Sequence, residues 1–410
     1  MTATVYFTDF KANSRENLPE KLARLITTAG LGDVLEKNDL TGVKLHFGEK
    51  GNTAFIRPPF IRRIIEAIRE KGAIPFLTDA NTLYAGTRSD TVSHITTAVA
   101  NGFSYSSMDN APIIIADGLR GKSETAVRVG LKHCKEVYIG SEIIGADALI
   151  SVAHFKGHEL SGFGGTLKNL GMGCASRKGK LDQHSTVSPK VKKKKCIGCG
   201  ECADNCPVAA ITLAAETLTL GEKSILLGEK EITHGEKIAT RGEEKAALGK
   251  KKATIDPETC IGCGECIIRC PTGAVNIRWN QTVPVFLEKM MEYTKGVLQD
   301  KEDKTLFINF ITDISPACDC LPYNDSPIVR DIGIVASTDP VAIDQASADL
   351  VNAEEALAGT CLKHNTQPGE DKFKGLYPDV DWEIQLDYAE TIGLGTRKYE
   401  LVKLDALSWK

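Results

Sequence analysis

The sequence predicts an α/β fold whose mostly parallel sheet is built from two separate parts of the chain. Segments rich in Val and Ile alternate with segments whose apolar residues recur at helical spacing, as in buried parallel sheets joined by helices. This alternation stops at two tight cysteine arrays and resumes after them. We therefore expect one discontinuous α/β domain with an inserted cysteine-rich α+β module, divided at 1–190, 191–276 and 277–410.

Local signals support each element of the first part. The helix predicted at 58–72 has proline at its start and glycine at its end, and the helix at 18–30 also ends in glycine. The other predictions are strands at 3–7, 43–47, 74–80, 111–118 and 148–153, and helices at 91–102 and about 139–147. Ligands of such sheets bind beyond the carboxyl ends of the strands, so we expect a site there.

The second part continues the same pattern. A helix is predicted at 284–299 and a strand at 305–314, followed by the turn-rich segment SPACDCLPYNDSP. Another apolar strand is expected at 331–337. Asp339 and Pro340 then open a further helix, which carries Asp344 in its first turns.

The bulk properties describe an ordinary soluble protein. The 410 residues have a formal net charge of −4, which gives no global attraction to nucleic acid or anionic lipid. The N-terminal segment has no apolar core of a signal peptide, and no apolar run is long enough to span a membrane. We expect a cytoplasmic protein, in which thirteen cysteines point to metal more than to disulfides.

Eight of the cysteines form two arrays with the same spacing, C-x2-C-x2-C-x3-C-P. The first array is CIGCGECADNCP, and the second is CIGCGECIIRCP. Glycines within each array let the backbone bend and turn its N–H groups toward the sulfurs. A pair of zinc ribbons is the alternative, although zinc sites usually use two well-separated C-x2-C pairs.

This spacing resembles that of the bacterial-type two-cluster ferredoxins. The resemblance implies two [4Fe-4S] clusters, in which the fourth cysteine of each array crosses to the other cluster. The implied ligands are Cys196, Cys199, Cys202 and Cys270 for cluster one, and Cys260, Cys263, Cys266 and Cys206 for cluster two.

The connection between the arrays departs from a minimal ferredoxin. Residues 213–253 form a charged insert that repeats a G-E-K-like unit. A solvated hairpin or meander is the simpler interpretation, and a docking surface for a redox partner is the alternative. The lysine-rich run at 190–195 precedes the first array and favours either a more reduced, more negative cluster or an acidic partner. The expected partner is a low-potential redox protein.

The run HFKGHELSGFGGTLKNLGMGCA (154–175) follows a predicted strand and is dense in functional groups. We expect a glycine-rich loop, without a helix behind it, that binds a small anionic ligand. The candidate catalytic residues are His154, Lys156, His158 and Lys168, and the candidate ligand-binding residues are Gly162, Gly164, Gly165, Asn169, Asp79 and Asn81. The alternative is that the glycines only allow tight packing and the histidines are structural.

Cys318 and Cys320 form a C-x-C pair after the strand at 305–314. They are candidates for a third metal site together with Cys174 and the nearby histidines. Two buried free thiols or a redox-active pair are the alternatives. The remaining cysteines, Cys134 and Cys361, are interpreted as packing residues, and His46, His94 and His184 are secondary site candidates.

Taken together, the HFKGH, GFGG and LKN segments, FLTDANTLYAGTR, the CDC pair and the DPVAID segment resemble domain-of-unknown-function family 362, a family of iron–sulfur-centre proteins. The resemblance implies this α/β domain with an inserted two-cluster module, and it implies no particular reaction. A weaker likeness, to the lactate racemase superfamily, rests on a His, a glycine pair and a Lys after a strand.

These observations lead to an expected iron–sulfur oxidoreductase. Two clusters would relay electrons from a low-potential donor to a substrate or cofactor site in the α/β domain. A non-catalytic electron carrier or accessory subunit, and a metal-dependent racemase or isomerase, are the alternatives. Neither a G-x-G-x-x-G fingerprint opening a helix nor a Walker loop occurs in the sequence.

Overall fold

A computed structural model describes residues 2–184, 188–214, 251–277 and 282–404, and the backbone of two short strands at 217–220 and 223–226. Most of the charged insert at 213–253, including its G-E-K repeats, therefore lies outside the described residues. Within the described ranges, no helix is long and apolar enough to cross a membrane.

The strands of the described residues are numbered along the chain. They are β1 (Ala3–Asp9), β2 (Leu40–Lys44), β3 (Ile74–Asp79), β4 (Ile113–Ile115), β5 (Glu124–Arg128), β6 (Glu136–Gly140), β7 (Ala148–His154), β8 (Lys156–His158), β9 (Gly162–Gly164), β10 (Lys190–Val191), β11 (Ile211–Ala214), β12 (Thr217–Leu220), β13 (Lys223–Leu226), β14 (Lys252–Ile255), β15 (Val275–Asn276), β16 (Thr305–Ile311), β17 (Gly333–Ser337) and β18 (Tyr399–Lys403).

The helices are numbered in the same way. They are α1 (Leu18–Thr28), α2 (Leu31–Val34), α3 (Pro58–Glu70), α4 (Thr91–Ala100), α5 (Ser141–Gly145), α6 (Thr166–Gly171), α7 (Arg177–His184), α8 (Glu201–Asp204), α9 (Glu265–Arg269), α10 (Val283–Leu298), α11 (Pro340–Asn352), α12 (Lys372–Leu376) and α13 (Glu383–Thr391).

The α/β fold is confirmed by an eight-stranded, mostly parallel sheet. Its strand order is β18-β1-β17-β16-β7-β2-β3-β4. Strand β17 runs antiparallel to both of its neighbours, and the other neighbouring strands in the sheet are parallel. Since β2, β3, β7 and β16 all point the same way, their carboxyl ends meet at one edge of the sheet.

Hydrophobic side chains cover both faces of this sheet. Leu149 belongs to one buried cluster, which includes residues of α6, α10 and α11, and the next residue, Ile150, belongs to the other, which includes residues of α1 and α3. The alternation follows from the two-residue period of a strand. Parallel strands buried on both faces explain the continuous apolar runs of the sequence.

The chain divides into two compact units. The first, here called the α/β unit, comprises Met1–Thr82, Gly86–Gln183 and Gln281–Lys410, and the second, the cysteine unit, comprises Leu83–Ala85 and His184–Asn280. The cysteine unit contains the antiparallel pairs β10–β15 and β11–β14 and two short helices, α8 and α9, that contact each other.

Two local expectations were wrong. The helix expected at about 139–147 is shorter, because 136–140 is strand β6 paired with β5, and the helix α5 begins only at Ser141. The buried side chain of Ile139 belongs to this strand. The glycines of the run are also followed at once by a helix, α6, which the sequence did not indicate.

Candidate functional site

In the cysteine unit, the eight array cysteines surround two separate hollows. The first hollow is lined by Cys196, Cys199, Cys202 and Cys270, among other residues. The second is lined by Cys206, Cys260, Cys263 and Cys266, among other residues. Each hollow therefore combines three cysteines of one array with the fourth cysteine of the other.

Tight turns within the arrays direct the backbone toward the sulfurs. Gly200 and Gly264 adopt left-handed conformations immediately before α8 and α9, with φ of 89° and 70°. Backbone N–H groups donate to thiol sulfurs beyond the turns, from Ala274 to Cys270 at 3.1 Å and from Ala210 to Cys206 at 3.2 Å. Such bonds stabilise negative charge on sulfur.

In each hollow, burial and the neighbouring sulfurs disfavour the ionised form of one thiol, Cys202 in the first and Cys266 in the second. Burial raises the pKa of Cys266, and the charges of Cys263 and Cys260 raise it further. Burial also raises the pKa of Cys202, as do Cys270 and Cys196 from both arrays. Four converging thiolates become stable only with a positive partner between them.

In the α/β unit, charged side chains gather at the carboxyl ends of neighbouring strands. Lys44, Asp79 and His154 are the last residues of β2, β3 and β7, and all three are buried. The loop after β16 brings Cys318 and Asp319 to the same edge. This is the position at which open α/β sheets form ligand sites.

Asp79 is the centre of a buried ion network. Its Oδ1 lies 3.0 Å from Lys44 Nζ, and its Oδ2 lies 3.4 Å from a guanidinium nitrogen of Arg88. Burial would raise the pKa of Asp79, but Lys44 and His94 outweigh it and hold the pKa well below its usual range. Arg88 also contacts Glu49 at 3.2 Å, so each buried charge has a partner.

His154 is fully engaged by the protein. Its Nδ1 lies 2.9 Å from Asp319 Oδ2, and its Nε2 lies 2.8 Å from the Thr312 carbonyl oxygen. Both bonds are satisfied only when both ring nitrogens carry protons. His154 therefore has no free nitrogen for a metal or substrate and instead holds the loop that carries Asp319.

Asp319 also forms an ion pair with Lys156, in which Lys156 Nζ lies 3.6 Å from Asp319 Oδ2. Burial opposes ionisation, but the charges of His154 and Lys156 lower the pKa of Asp319 below its ordinary value. Lys156 additionally donates to the His154 carbonyl at 2.8 Å. The expected catalytic residues His154 and Lys156 are thus brought together, around a carboxylate that anchors the Cys318 loop.

His158 and Lys168 point at the sulfur of Cys318. Lys168 Nζ lies 3.9 Å from Cys318 Sγ, and His158 lies close enough to the same thiol to lower its pKa. Burial lowers the pKa of His158 to about 4, and the charge of Lys168 contributes to the shift. His158 is therefore neutral near pH 7.

The glycine-rich run forms the β8–β9 hairpin and the start of α6, and its helix terminus is already occupied. Asp344 accepts hydrogen bonds from the N–H groups of Thr166 at 2.8 Å and Leu167 at 2.9 Å. A Cβ on Gly165 would lie 2.3 Å from Asp344 Oδ1. Gly165 thus permits a close approach of the protein's own carboxylate, in place of the expected external anion.

The other glycines of the run also pack closely against protein. A Cβ on Gly162 would lie 2.6 Å from Trp382 Cβ, and one on Gly164 would lie 3.3 Å from Lys168. Gly164 therefore lies against the lysine side chains and lets them pass near the backbone.

The other candidate residues contact different partners. Asn169 Oδ1 accepts a hydrogen bond from Lys44 Nζ at 2.9 Å, and Asn81 Nδ2 donates to Asp117 Oδ1 at 2.9 Å. Cys174 is buried, and burial raises its pKa to about 11. The charges of Lys44, Asp79 and Lys180 also act on this thiol, which donates to the Asn169 carbonyl at 3.9 Å. Among the described residues, Cys174 is not arranged with Cys318 and Cys320 to share a metal ion.

The secondary histidines have different surroundings. His94 is buried 3.6 Å from Asp79, and His46 accepts a hydrogen bond from the Gly48 N–H at 3.0 Å. Burial lowers the pKa of His46 to about 3, with Arg88 adding to the effect. His184 is the last residue of α7.

Some members of the network were not singled out by the sequence. They are Lys44, Glu49, Arg88, Asp117 and Lys180, all of them buried charges. Of these residues, only Lys44 could have been identified from the sequence, because a lysine within an apolar strand needs a buried partner. The position of Lys180 on a helix gives no such indication.

Across the described ranges, no three His, Cys, Asp or Glu side chains are arranged to share a single metal ion. The C-x-C pair thus has no third ligand placed to complete a mononuclear site within those residues. The third-metal interpretation receives no support from this geometry.

Comparison with known families supplies the relation of the chain to other proteins. Residues 41–349 match the family described as Domain of unknown function (DUF362). The chain belongs to this family. The match includes both cysteine arrays and most of the α/β unit, but not β1 and β18, and it names no reaction.

Other comparisons add little. Comparison with curated proteins gives no match. Among solved structures, the chain is similar to the lactate racemase apoprotein from Thermoanaerobacterium thermosaccharolyticum, with 13% identity and a TM-score of 0.35. The alignment covers 76% of this chain and 51% of that protein, so the chain spans about half its length.

Proposed function

We propose that this protein is an iron–sulfur oxidoreductase whose cysteine unit holds two [4Fe-4S] clusters. The observation that carries the proposal is the pair of hollows, each lined by three cysteines of one array and one of the other. This crossed arrangement is the one that the array spacing implies. When bound, such clusters accept and donate single electrons at low potential.

The residues fit a cluster better than a single zinc ion. Thiolates that share one zinc lie about 4 Å apart, because each Zn–S bond is about 2.3 Å. The described cysteines are not arranged to share one ion, but each set of four lines a common hollow. In a four-iron cluster each thiolate binds a different iron, which requires this wider spacing.

The surroundings of the first hollow support a redox partner with an acidic surface. Lys192, Lys193, Lys194 and Lys195 are exposed immediately before Cys196. A positive surface next to a cluster ligand attracts an acidic protein and speeds its association. We propose that this partner is the low-potential electron donor.

The α/β unit supplies the substrate site in this proposal. Buried lysines lie at the carboxyl edge of the sheet, with Lys168 facing the Cys318 sulfur. Lys168 is partly exposed, unlike Lys156 and Lys44, so it can meet a small anionic substrate. The protein would thus combine electron entry at the clusters with proton and charge handling in the α/β unit.

The test is an anaerobic count of iron and acid-labile sulfide per chain, with electron paramagnetic resonance of the dithionite-reduced protein. We expect about eight irons, from two four-iron clusters. Cys270→Ser removes a ligand of cluster one and Cys206→Ser a ligand of cluster two, so each should reduce the count to about four.

Cys361→Ser is the matched control, because Cys361 is exposed and belongs to neither hollow. It should keep the full count. Fewer than about four irons in wild-type protein never exposed to air, or bound zinc in its place, would overturn the two-cluster proposal.

A further inference from the structure

Hydrogen-bond donors converge on the sulfur of Cys318. The Cys320 backbone N–H donates to it at 3.4 Å, Lys168 Nζ donates to it at 3.9 Å, and the side chains of His158 and Cys320 lie close enough to affect its pKa. Cys318 is buried, and one of these donors is a full positive charge. A buried sulfur that accepts hydrogen bonds from a backbone N–H and from a lysine ammonium is placed to be a thiolate.

The hydrogen bonds of His158 set its role. Its Nδ1 lies within 3.2 Å of the Leu160 and Ser161 N–H groups and 3.0 Å from Ser161 Oγ. Backbone N–H groups can only donate, so Nδ1 accepts and the ring proton resides on Nε2. Nδ1 of His158 is therefore already engaged by the backbone and is not available as a base for Cys318.

The two thiols of the pair differ in acidity. The hydrogen bond from Cys320, together with Lys168 and His158, lowers the pKa of Cys318 well below that of an ordinary thiol despite its burial. The same hydrogen bond and burial raise the pKa of Cys320 well above it. One thiolate and one thiol, two residues apart, form the arrangement needed for thiol–disulfide exchange.

The geometry points to Cys318 and Cys320 as a redox-active dithiol, with Cys318 as the attacking thiolate and a small disulfide as the substrate class. Cys318 Sγ attacks one substrate sulfur, and the substrate S–S bond breaks to release the first thiolate. Cys320 then attacks Cys318 Sγ after giving its proton to a product thiolate, and the second thiolate leaves. The net products are a Cys318–Cys320 disulfide, one thiolate and one thiol.

Return to the starting state takes two electrons and one proton, which restore the Cys318 thiolate and the Cys320 thiol. The reductant is a low-potential one-electron donor used twice, so this half of the cycle rests on the proposed clusters. The attack on the substrate does not depend on them. Cys320 is more exposed than Cys318, so the substrate would approach from the Cys320 side.

The first experiment measures the rate at which iodoacetamide alkylates the thiols of the holoprotein between pH 5.5 and 9. This range includes the pKa of an ordinary thiol, about 8.5. Both thiols fall in one tryptic peptide, 305–330, which contains no other cysteine. We expect Cys318 to react at a nearly constant rate across this range. Cys361, the exposed control, should slow about tenfold per pH unit below its pKa.

Variants of Lys168 test whether Cys318 reacts because it is a thiolate or only because it is accessible to the reagent. Lys168→Met should shift the pH profile of Cys318 upward, and Lys168→Arg, which keeps the positive charge, should largely restore it. Cys174→Ala serves as a buried control and should leave the profile unchanged. If Cys318 reacts no faster than Cys361 at pH 6, and Lys168→Met does not shift its profile, the thiolate assignment is wrong.

The second experiment follows peptide 305–330 by mass spectrometry in oxidised and reduced dithiothreitol mixtures. We expect a reversible loss of two hydrogen atoms, which Cys320→Ala abolishes, and turnover of a small disulfide such as cystine with dithionite-reduced protein. A pair that never forms the disulfide, or a non-iron metal released by Cys318→Ala, would overturn the proposal.

The iron count on the same samples distinguishes the two proposals. A reactive, reversible pair in protein with too little iron would sink the two-cluster function and leave the dithiol assignment standing. About eight irons with an inert pair would do the reverse.

Discussion

At the scale of single residues, the α/β site is assembled from buried charges that satisfy one another. His154 donates from both ring nitrogens, Asp319 gathers His154 and Lys156, and Asp79 gathers Lys44 and Arg88. Each group would be costly to bury alone. The consequence is a rigid polar frame, within which Cys318 receives donors from several directions.

The first residue-scale prediction concerns Asp319→Asn. Removing its charge leaves the buried His154 and Lys156 without their carboxylate, so we expect a loss of roughly 2–4 kcal/mol in the free energy of unfolding at pH 7. Chemical denaturation measures it. Glu136→Gln, at a pair that is exposed on both sides, should change stability by less than about 0.5 kcal/mol.

The pH dependence of this difference follows from the sign of the shift. The pKa of Asp319 is lowered in the fold from its ordinary value of 3.8, so its stabilisation is present above that value and is lost as pH falls below it. The gap between wild type and Asp319→Asn should therefore narrow below about pH 4. A gap that stays constant down to pH 2.5 would contradict the assignment.

At the scale of elements, the glycine-rich run owes its shape to a distant carboxylate. Asp344, on α11, accepts the first N–H groups of α6 and also a hydrogen bond from Asn309 at 2.7 Å. Burial raises the pKa of Asp344 to about 6, against these donors. The backbone N–H groups at the start of α6, where a small anionic ligand was expected, are thus capped from within the protein.

The element-scale prediction is that Gly165→Ala destabilises the protein by about 1–3 kcal/mol, because the new Cβ overlaps Asp344 Oδ1 and approaches Phe155 at 2.9 Å. Thermal unfolding at pH 7 measures the effect. Gly145→Ala is the matched control, since its Cβ meets nothing within 4 Å and alanine favours the helix. Equal stability of the two variants would argue against the close contact.

At the scale of the whole molecule, the two units are stabilised in different ways. The α/β unit has two extensive hydrophobic clusters on the faces of an eight-stranded sheet. The cysteine unit has short two-stranded pieces and thiol-lined hollows, and under the function proposed above its small apolar core is supplemented by the two clusters.

The corresponding prediction is that removal of iron with a chelator under oxidation raises amide hydrogen exchange in the cysteine unit, at 188–214 and 251–277. Exchange in β2, β7 and β16 should change little, because their burial does not involve the cysteines. Hydrogen exchange with mass spectrometry measures both. Unchanged protection of 188–214 after complete iron loss would contradict metal-coupled folding of that unit.

Much of this architecture could be predicted from the sequence, because the signals for its helices, strands and cysteine arrays are local. The apolar strand runs, the proline and Asp339 at the start of α11, and the repeated array spacing each lie within a short stretch of chain. The local sequence pattern gave a wrong prediction where the same segment is compatible with both a helix and a strand. Residues 136–140 lie within a segment expected partly as helix, but they form β6 because they pair with β5.

The sequence by itself determined the α/β class, the family resemblance, and the grouping of eight cysteines into two arrays, because these depend on spacing between nearby residues. Only the tertiary structure decided how the functional groups are used. His154 meets a carboxylate 165 positions away, and α6 is capped by one 178 positions away. Such contacts depend on which strand ends become neighbours in the sheet, and no local pattern encodes that choice.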